Sequence, residues 1–383
     1  MKQEYIKVGV LGKSTKKEEF RIPIFPNHID RIDPKLLQNL YFEEDYGMRF
    51  GVTDLEIRDM GANILSRDEI FAQCDLLLIC KVTVRDLMQA RNGQIVCGWM
   101  HTTQQFEIAQ IAIDKQLTLI AWENMYNEDP NNRKDKSIYI FNRNRELAGY
   151  AGIIHLLGLL GIDGYYGQRR KVSVLGFGAV SRGIIYALQG RGFNNIHVYT
   201  RRDPHLIENR NPNCYYHQII MKNNAWHSFN IEGVENCLIA ELAESDIICN
   251  AVYQDVCNPT MFITKESELD MLKPGTAIID VSCDKGMGFY FATPTTLDKP
   301  TIQVSPKVLY YAVDHTPSYL WNAASREISL ALLPLLPILM KGSSGWETSK
   351  TIMNSIDVLN GTILNRNTLL FQNRDPNYPH KIR

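Results

Sequence analysis

One stretch limits what this chain can fold into more than any other: Lys171 to Arg202, KVSVLGFGAVSRGIIYALQGRGFNNIHVYTRR. Val172, Val174 and Leu175 predict a short strand, and Gly176, Phe177 and Gly178 break it. Val180, Ile184, Ile185 and Leu188 then recur at helical spacing, and Ile196 to Tyr199 predicts a second strand. Strand, glycine turn, helix, strand is the opening of a dinucleotide-binding βαβ unit. Gly176 permits the tight turn, and Gly178 lets the backbone approach a pyrophosphate at the helix N-terminus. Ser181 stands where a third glycine is usual. The expected cofactor set is Gly176, Phe177, Gly178, Ala179, Val180 and Ser181, joined by Ala251 and Val252 after a later strand. An ordinary αβ turn is the alternative.

The tip of the second strand bears on the nucleotide. NAD-binding versions of this unit place a carboxylate there for the adenosine ribose. This chain has Thr200, Arg201 and Arg202, with Asp203 only beyond them. A hydroxyl and two guanidiniums suit a 2′-phosphate, which favours NADPH over NADH, with NADH still possible. A solvated basic loop would read the same way.

The remainder of the chain fits an α/β protein of two Rossmann-like domains with an active-site cleft between them. Its 383 residues are enough for two domains. The net charge of −1 gives no reason to expect nucleic acid or an anionic membrane. Eight cysteines without metal-ligand spacing or a leading apolar signal suggest small core hydrophobes, no metal and a cytoplasmic setting. Leu330 to Met340, the longest apolar run, holds two prolines and is too short to span a bilayer. Strands are expected at 5–10, 40–43, 61–65, 76–81, 94–99 and 117–121, and a helix from about Pro26. Asn127 to Ser137 reads as an exposed loop, and Leu147 to Leu160 as a helix buried all round. His205 to Asn224 reads as irregular. Further strands are expected at 247–250, within 271–280 and at 302–303, and a long helix at 327–339. Some strand character follows Asn360.

Six polar residues sit at the edges of apolar segments: Arg21, Lys81, His101, Glu123, Asp284 and Asp314. Each has an uneventful reading. Arg21 fits a charged surface run, Lys81 a snorkelling strand end, and His101 a helix cap. Glu123 fits a solvated acid, and Asp284 a loop packed on the sheet. Together they fit a cleft that collects strand ends. Reducing an imine formed from a 2-oxo acid needs a cation for the carboxylate, an acid to release water and a base for the amine.

Several segments together resemble the alanine dehydrogenase, transhydrogenase and saccharopine dehydrogenase superfamily over nearly the full length. They are VGV followed by EEFRIPIFP, LLLICK ending at Lys81, GWMH ending at His101, and AWENM with Glu123. Further on come the glycine turn, MLKPGTAIIDVSCDKG, PTT at 294–296 and VDHTPSYLWNAAS at 313–325. The resemblance implies a catalytic domain at 1–145, an NAD(P)-binding domain at 146–317, and a segment 318–383 completing the first. It makes Arg21 a substrate-carboxylate ligand, Lys81 and His101 the acid/base pair, and Glu123 their tuner. Asp284 and Asp314 would line the cleft. Val82 stands where the saccharopine enzymes carry a glutamate. His315 and Ser318 depart from the alanine dehydrogenase pattern. These departures point to members that join pyruvate, a 2-oxo acid, to the side-chain amine of an amino acid such as ornithine or lysine with NADPH. An NAD-dependent saccharopine or alanine dehydrogenase is the alternative, and a catalytically dead nucleotide-sensing regulator is another. A homodimer or homotetramer is expected.

Overall fold

The computed structural model describes residues 5–127, 137–256 and 258–383. The chain forms two compact units, one of Met1–Asn142 with Trp321–Arg383, the other of Arg143–Leu320. The expected loop at 127–137 lies almost wholly outside the described residues, as does Cys257.

The first unit is built on β1 (Val8–Val10), β2 (Leu40–Glu43), β3 (Asn63–Leu65), β4 (Leu76–Lys81), β5 (Ile95–Trp99) and β6 (Thr118–Ala121). These strands are parallel, in the spatial order β6-β5-β4-β1-β2-β3. That is a doubly wound sheet with its switch point between β1 and β4. Two late strands, Ile356–Leu359 and Thr362–Ile363, extend it antiparallel beyond β6. β4 is buried along Leu76 to Cys80, which explains its continuous apolar run. Capping boxes start three of the connecting helices, pairing Thr53 with Glu56, Ser66 with Glu69 and Thr83 with Asp86.

The closing segment joins this unit through specific contacts. Ser325 Oγ accepts from the Ile22 amide at 3.1 Å, and Ser329 Oγ lies 2.9 Å from His28 Nδ1. The expected single helix at 327–339 is broken. An α-helix Trp321–Leu332 gives way to a 3-10 turn Leu333–Leu335 and a short helix Leu336–Met340. Pro334 and Pro337 lack the amides a continuous ladder needs. The run Thr316–Met340 is 25 residues long and apolar enough to cross a membrane by composition alone. Its Ile328, Leu332, Leu336, Leu339 and Met340 are buried in the core of the first unit. The segment near Pro26 is a 3-10 helix, Pro26–Arg31, and the tail ends in a helix Arg366–Phe371 as well as the expected strand.

The second unit begins with α1 (Asn142–Leu160), followed by β7 (Val172–Leu175), α2 (Ala179–Gly190), β8 (Ile196–Thr200), β9 (Cys214–Lys222), β10 (Ala225–Phe229) and β11 (Glu235–Cys237). It continues with β12 (Ile247–Asn250), β13 (Thr276–Asp280), β14 (Thr301–Ser305) and β15 (Val308–Tyr311). The parallel strands run β9-β8-β7-β12-β13-β15, a Rossmann order. The antiparallel β10 and β11 edge one side and β14 the other. The segment 205–224 is therefore not irregular. CYYHQIIMK is a nine-residue strand whose exposed and buried positions carry too little contrast to announce a sheet face. α1 is not buried all round, since Leu159 is 48% exposed.

Seven described cysteines are free thiols, four of them buried. Among the described residues no group of three or more His, Cys, Asp or Glu side chains could hold a metal.

Candidate active site

In the first unit Lys81 ends β4, and His101 and Glu123 follow the carboxyl ends of the neighbouring parallel strands β5 and β6. Adjacent strands lie about 4.8 Å apart, so the topology alone gathers these residues at one sheet edge. The β4–β5 register shifts between Leu78 and Lys81, just before the lysine. Gly98 lies at that irregularity, where a Cβ would stand 1.9 Å from the Ile79 carbonyl oxygen. The glycine of GWMH thus allows the close strand approach that brings Lys81 opposite Trp99.

His101 has φ = 50°, in the left-handed region that side chains other than glycine seldom occupy. The Glu123 carboxylate accepts the His101 amide at 2.5 Å and the Met100 amide at 3.3 Å. Glu123 is neither fully solvated nor at its ordinary acidity. Its pKa is pushed up to about 7 by burial first and then by the negative charge of Asp357, opposed by amide hydrogen bonds and by Lys81. The next helix, Phe106–Asp114, begins after Gln105 without a side-chain cap, so His101 does not cap it.

Arg21 is buried, not part of a surface run. Its Nε donates to Glu19 Oε1 at 2.7 Å and its Nη2 to Glu19 Oε2, a side-on pair with both side chains buried. The guanidinium lies 5.0 Å over the Trp99 ring, two residues before His101. Trp99 packs edge-on against Trp122 at 5.0 Å and donates to Tyr139 Oη at 2.9 Å.

Glu19 and Asp357 were missed in the sequence. Glu19 disappears into the charged run KKEEFR. Asp357 arrives on a strand far along the chain, where its Oδ1 accepts from Asn124 at 2.8 Å and Asn365 at 2.9 Å. Burial raises its pKa as well. The pattern IDVL carries no local sign of a partner at Glu123.

In the second unit Gly176 has φ = 96°, and a Cβ there would meet the Ala251 carbonyl oxygen at 3.1 Å. Gly178 is exposed at the N-terminus of α2, with open space where its Cβ would point. These features fit a dinucleotide pyrophosphate. The missing third glycine has a substitute two residues on. Ser181 is buried, and Gly183 lets α1 approach, since a Cβ on Gly183 would stand 1.8 Å from the Glu146 carbonyl oxygen. Ala251 and Val252 border the turn; Ala251 donates to the Leu175 carbonyl at 3.0 Å.

Arg202 Nη2 donates to the Phe177 carbonyl at 2.6 Å, tying the tip of β8 to the glycine turn. Arg201 Nη2 donates to Thr260 Oγ1 at 2.9 Å, and its guanidinium lies 5.5 Å from the Trp226 ring. A cavity of about 590 Å3 beside it is lined by Trp226, Leu238, Tyr253 and Thr260. Arg182, unremarked in the sequence, stacks 4.4 Å from the Phe177 ring.

Asp284 and Asp314 follow the neighbouring strands β13 and β15. Asp314 Oδ1 lies 2.6 Å from His315 Nδ1. Asp280, hidden in the apolar AIIDV, is buried and pushed up to about 7, chiefly by burial. Its carboxylate accepts from Tyr310 Oη at 2.8 Å, from Asn250 at 3.0 Å and from the Ser282 and Cys283 amides at 3.1 Å. It joins the ends of β12, β13 and β15.

The chain belongs to the alanine dehydrogenase/PNT family, whose N-terminal domain matches residues 10–136 and whose C-terminal domain matches residues 168–366. With that membership it is an NAD(P)-dependent oxidoreductase acting on amino-acid CH–NH groups. It is 27% identical to the N(5)-(carboxyethyl)ornithine synthase of Lactococcus lactis subsp. lactis over 85% of this chain and 93% of that one. The enzyme of the same name from Clostridium botulinum is also 27% identical, over 85% and 92%. The alanine dehydrogenase of Mycobacterium tuberculosis is 23% identical over 90% of each. Among solved structures, an L-alanine dehydrogenase matches with a TM-score of 0.72 at 18% identity, covering 96% of this chain and 99% of that one. A transhydrogenase from Sinorhizobium meliloti matches at 0.66 and 16%, covering 94% and 99%. The expected α/β architecture of two Rossmann-like domains is borne out. The dead-sensor alternative finds no support among these relatives.

Proposed function

We propose that the chain condenses a 2-oxo acid, pyruvate, with the side-chain amine of an amino acid, ornithine or lysine, and reduces the product with NADPH to an N-(carboxyethyl)amino acid. The amine nitrogen adds to the oxo carbon, the carbinolamine loses water, and the C=N bond is reduced. The balance is oxo acid, amine, NADPH and one proton giving the secondary amine, NADP+ and water. NADPH supplies the hydride to the imine carbon.

The observation that carries this reading is the convergence of Lys81, His101 and Glu123 on one sheet edge, with the Glu123 acid held near pH 7. The amine must be neutral to attack, so one of Lys81 and His101 takes its proton and the other helps expel water. Glu123 sets the field at the pair and holds the His101 backbone. Arg21, oriented by Glu19, binds the oxo-acid carboxylate. Asp284 and Asp314 serve the substrate and nicotinamide ends of the reaction.

The likeness to the ornithine enzymes over 85% of the chain supports the choice of amine. Thr200, Arg201 and Arg202 support NADPH. Their strand tip has no carboxylate, and the side chain of Asp203 is turned to the His205 amide. A dimeric or tetrameric cytosolic enzyme fits this reading, and the free thiols agree with a reducing compartment.

The test is incubation of the purified protein with NADPH, pyruvate and a panel of amino acids, followed by mass identification of products. The expected product is ornithine or lysine enlarged by one carboxyethyl group. Alanine formed from pyruvate and ammonia, with no amino-acid adduct, would instead support the alanine dehydrogenase reading.

A further inference from the structure

His101 holds a left-handed backbone, and such a conformation persists in a non-glycine residue only when its surroundings over-determine it. Glu123 fixes the amide side. The His101 carbonyl accepts from the Gln104 and Gln105 amides, both at 3.0 Å. The next two peptide planes are fixed from the far end of the chain. Gln372 Nε2 donates to the Thr102 carbonyl at 2.8 Å and the Thr103 carbonyl at 3.1 Å.

The orientation of the Gln372 amide is dictated chemically. Its Oε1 accepts from Arg374 Nε at 2.6 Å, and a guanidinium can only donate, so the NH2 group must face the two carbonyls. Gln372 is 1% exposed and Arg374 4%. Arg374 also donates to Gln110 Oε1 at 3.0 Å, the His380 carbonyl at 3.1 Å and the Phe106 carbonyl at 3.4 Å. It is thereby fastened to the helix that follows the His101 loop.

We propose that Gln372, held by Arg374, is a positioning residue for the reaction: it clamps the two peptide groups after His101 and so sets where the imidazole stands. The assignment rests on the reading of His101 as an acid/base group. A purely structural role, in which Gln372 only anchors the tail, predicts a loss of stability without a change in chemistry.

Gln372→Glu keeps the volume and the Arg374 contact but turns an acceptor oxygen toward two carbonyls. It should lower kcat for NADPH, pyruvate and ornithine roughly ten- to a hundredfold, the scale of an angstrom-sized misplacement. It should also shift the pH profile of kcat, with the three KM values nearly unchanged. Thr118→Val is the control. It removes the hydroxyl contacts of Thr118 with Asn360 Oδ1 at 3.2 Å and the Asn360 amide at 3.1 Å, also part of tail docking but away from the His101 loop, and should lower the thermal midpoint while leaving kcat alone. If Gln372→Glu does not fold, Arg374→Lys is read in its place, since it removes the Nε donor that orients the amide. A folded Gln372→Glu or Arg374→Lys protein with wild-type kcat and pH profile, beside an inactive His101→Gln, would overturn the clamp and leave His101 standing. A fully active His101→Gln would instead remove the reading on which the clamp depends.

Discussion

Lys81, His101 and Glu123 share a physical cause for being findable: each polar residue closes or closely follows an apolar strand, so its side chain cannot be part of the strand's buried pattern. Lys81→Met and His101→Gln should each reduce kcat by about 10²–10⁴, the range for a positioned proton-transfer group. Steady-state rates across pH check this, and near-normal kcat in both would contradict the acid/base assignment. Glu123 makes a separate prediction about stability. Its pKa is raised from 4.5 to about 7 on folding, so the native state holds the proton more tightly than the unfolded chain between those values. Stability contributed by Glu123 is therefore present below about pH 4.5, falls as pH rises toward 7 and levels off above it. Asp280, also raised to about 7, adds a slope of the same sign. Urea midpoints across pH 4.5–7 should fall less steeply for Glu123→Gln than for the wild type, and equal slopes would contradict the assignment. Glu19, Asp280, Asp357 and Gln372 were not legible because their partners are set by tertiary contact. Asp357 meets Asn124 across 233 positions of sequence.

At the scale of elements, β4 was legible because a central parallel strand is apolar on both faces, and LLLICK has no other easy reading. The glycine turn was legible because its backbone needs a positive φ at Gly176. The β9–β10 hairpin was not, because a partly exposed strand that mixes apolar and polar residues without strict alternation lacks the pattern that marks a sheet face. The break after Leu332 was signalled by Pro334 but masked by the apolar run around it. The β4–β5 irregularity makes a testable element of its own. Gly98→Ala places a Cβ 1.9 Å from a backbone oxygen that cannot rotate away, so one of the two strands must move. About 1–3 kcal/mol of stability should be lost, as for other overpacked sites. Because Lys81 lies at the same irregularity, kcat should fall with it. Thermal midpoints and rates measured together check both, and an unchanged midpoint would show that the strands yield freely.

At the scale of the whole molecule, the two units carry separate parts of the proposed reaction, one the proton-transfer groups and the other the nucleotide turn. Arg201→Ala with Arg202→Ala should therefore raise the KM for NADPH by roughly ten- to a hundredfold, equivalent to about 1.5–3 kcal/mol for a lost charge-assisted contact, and barely change that for NADH. A wild-type enzyme that already prefers NADH would contradict the phosphate assignment. The central claim is imine reduction on a carboxyethylated amine, and isotope transfer tests it most directly. The protein is incubated with NADPH deuterated at the transferring C4 position, pyruvate and ornithine, and the product is examined by mass spectrometry and NMR. The account predicts one deuterium on the new methine carbon between the amine nitrogen and the carboxylate. Deuterated lactate or alanine in place of that adduct, or an adduct without deuterium at that carbon, would contradict it.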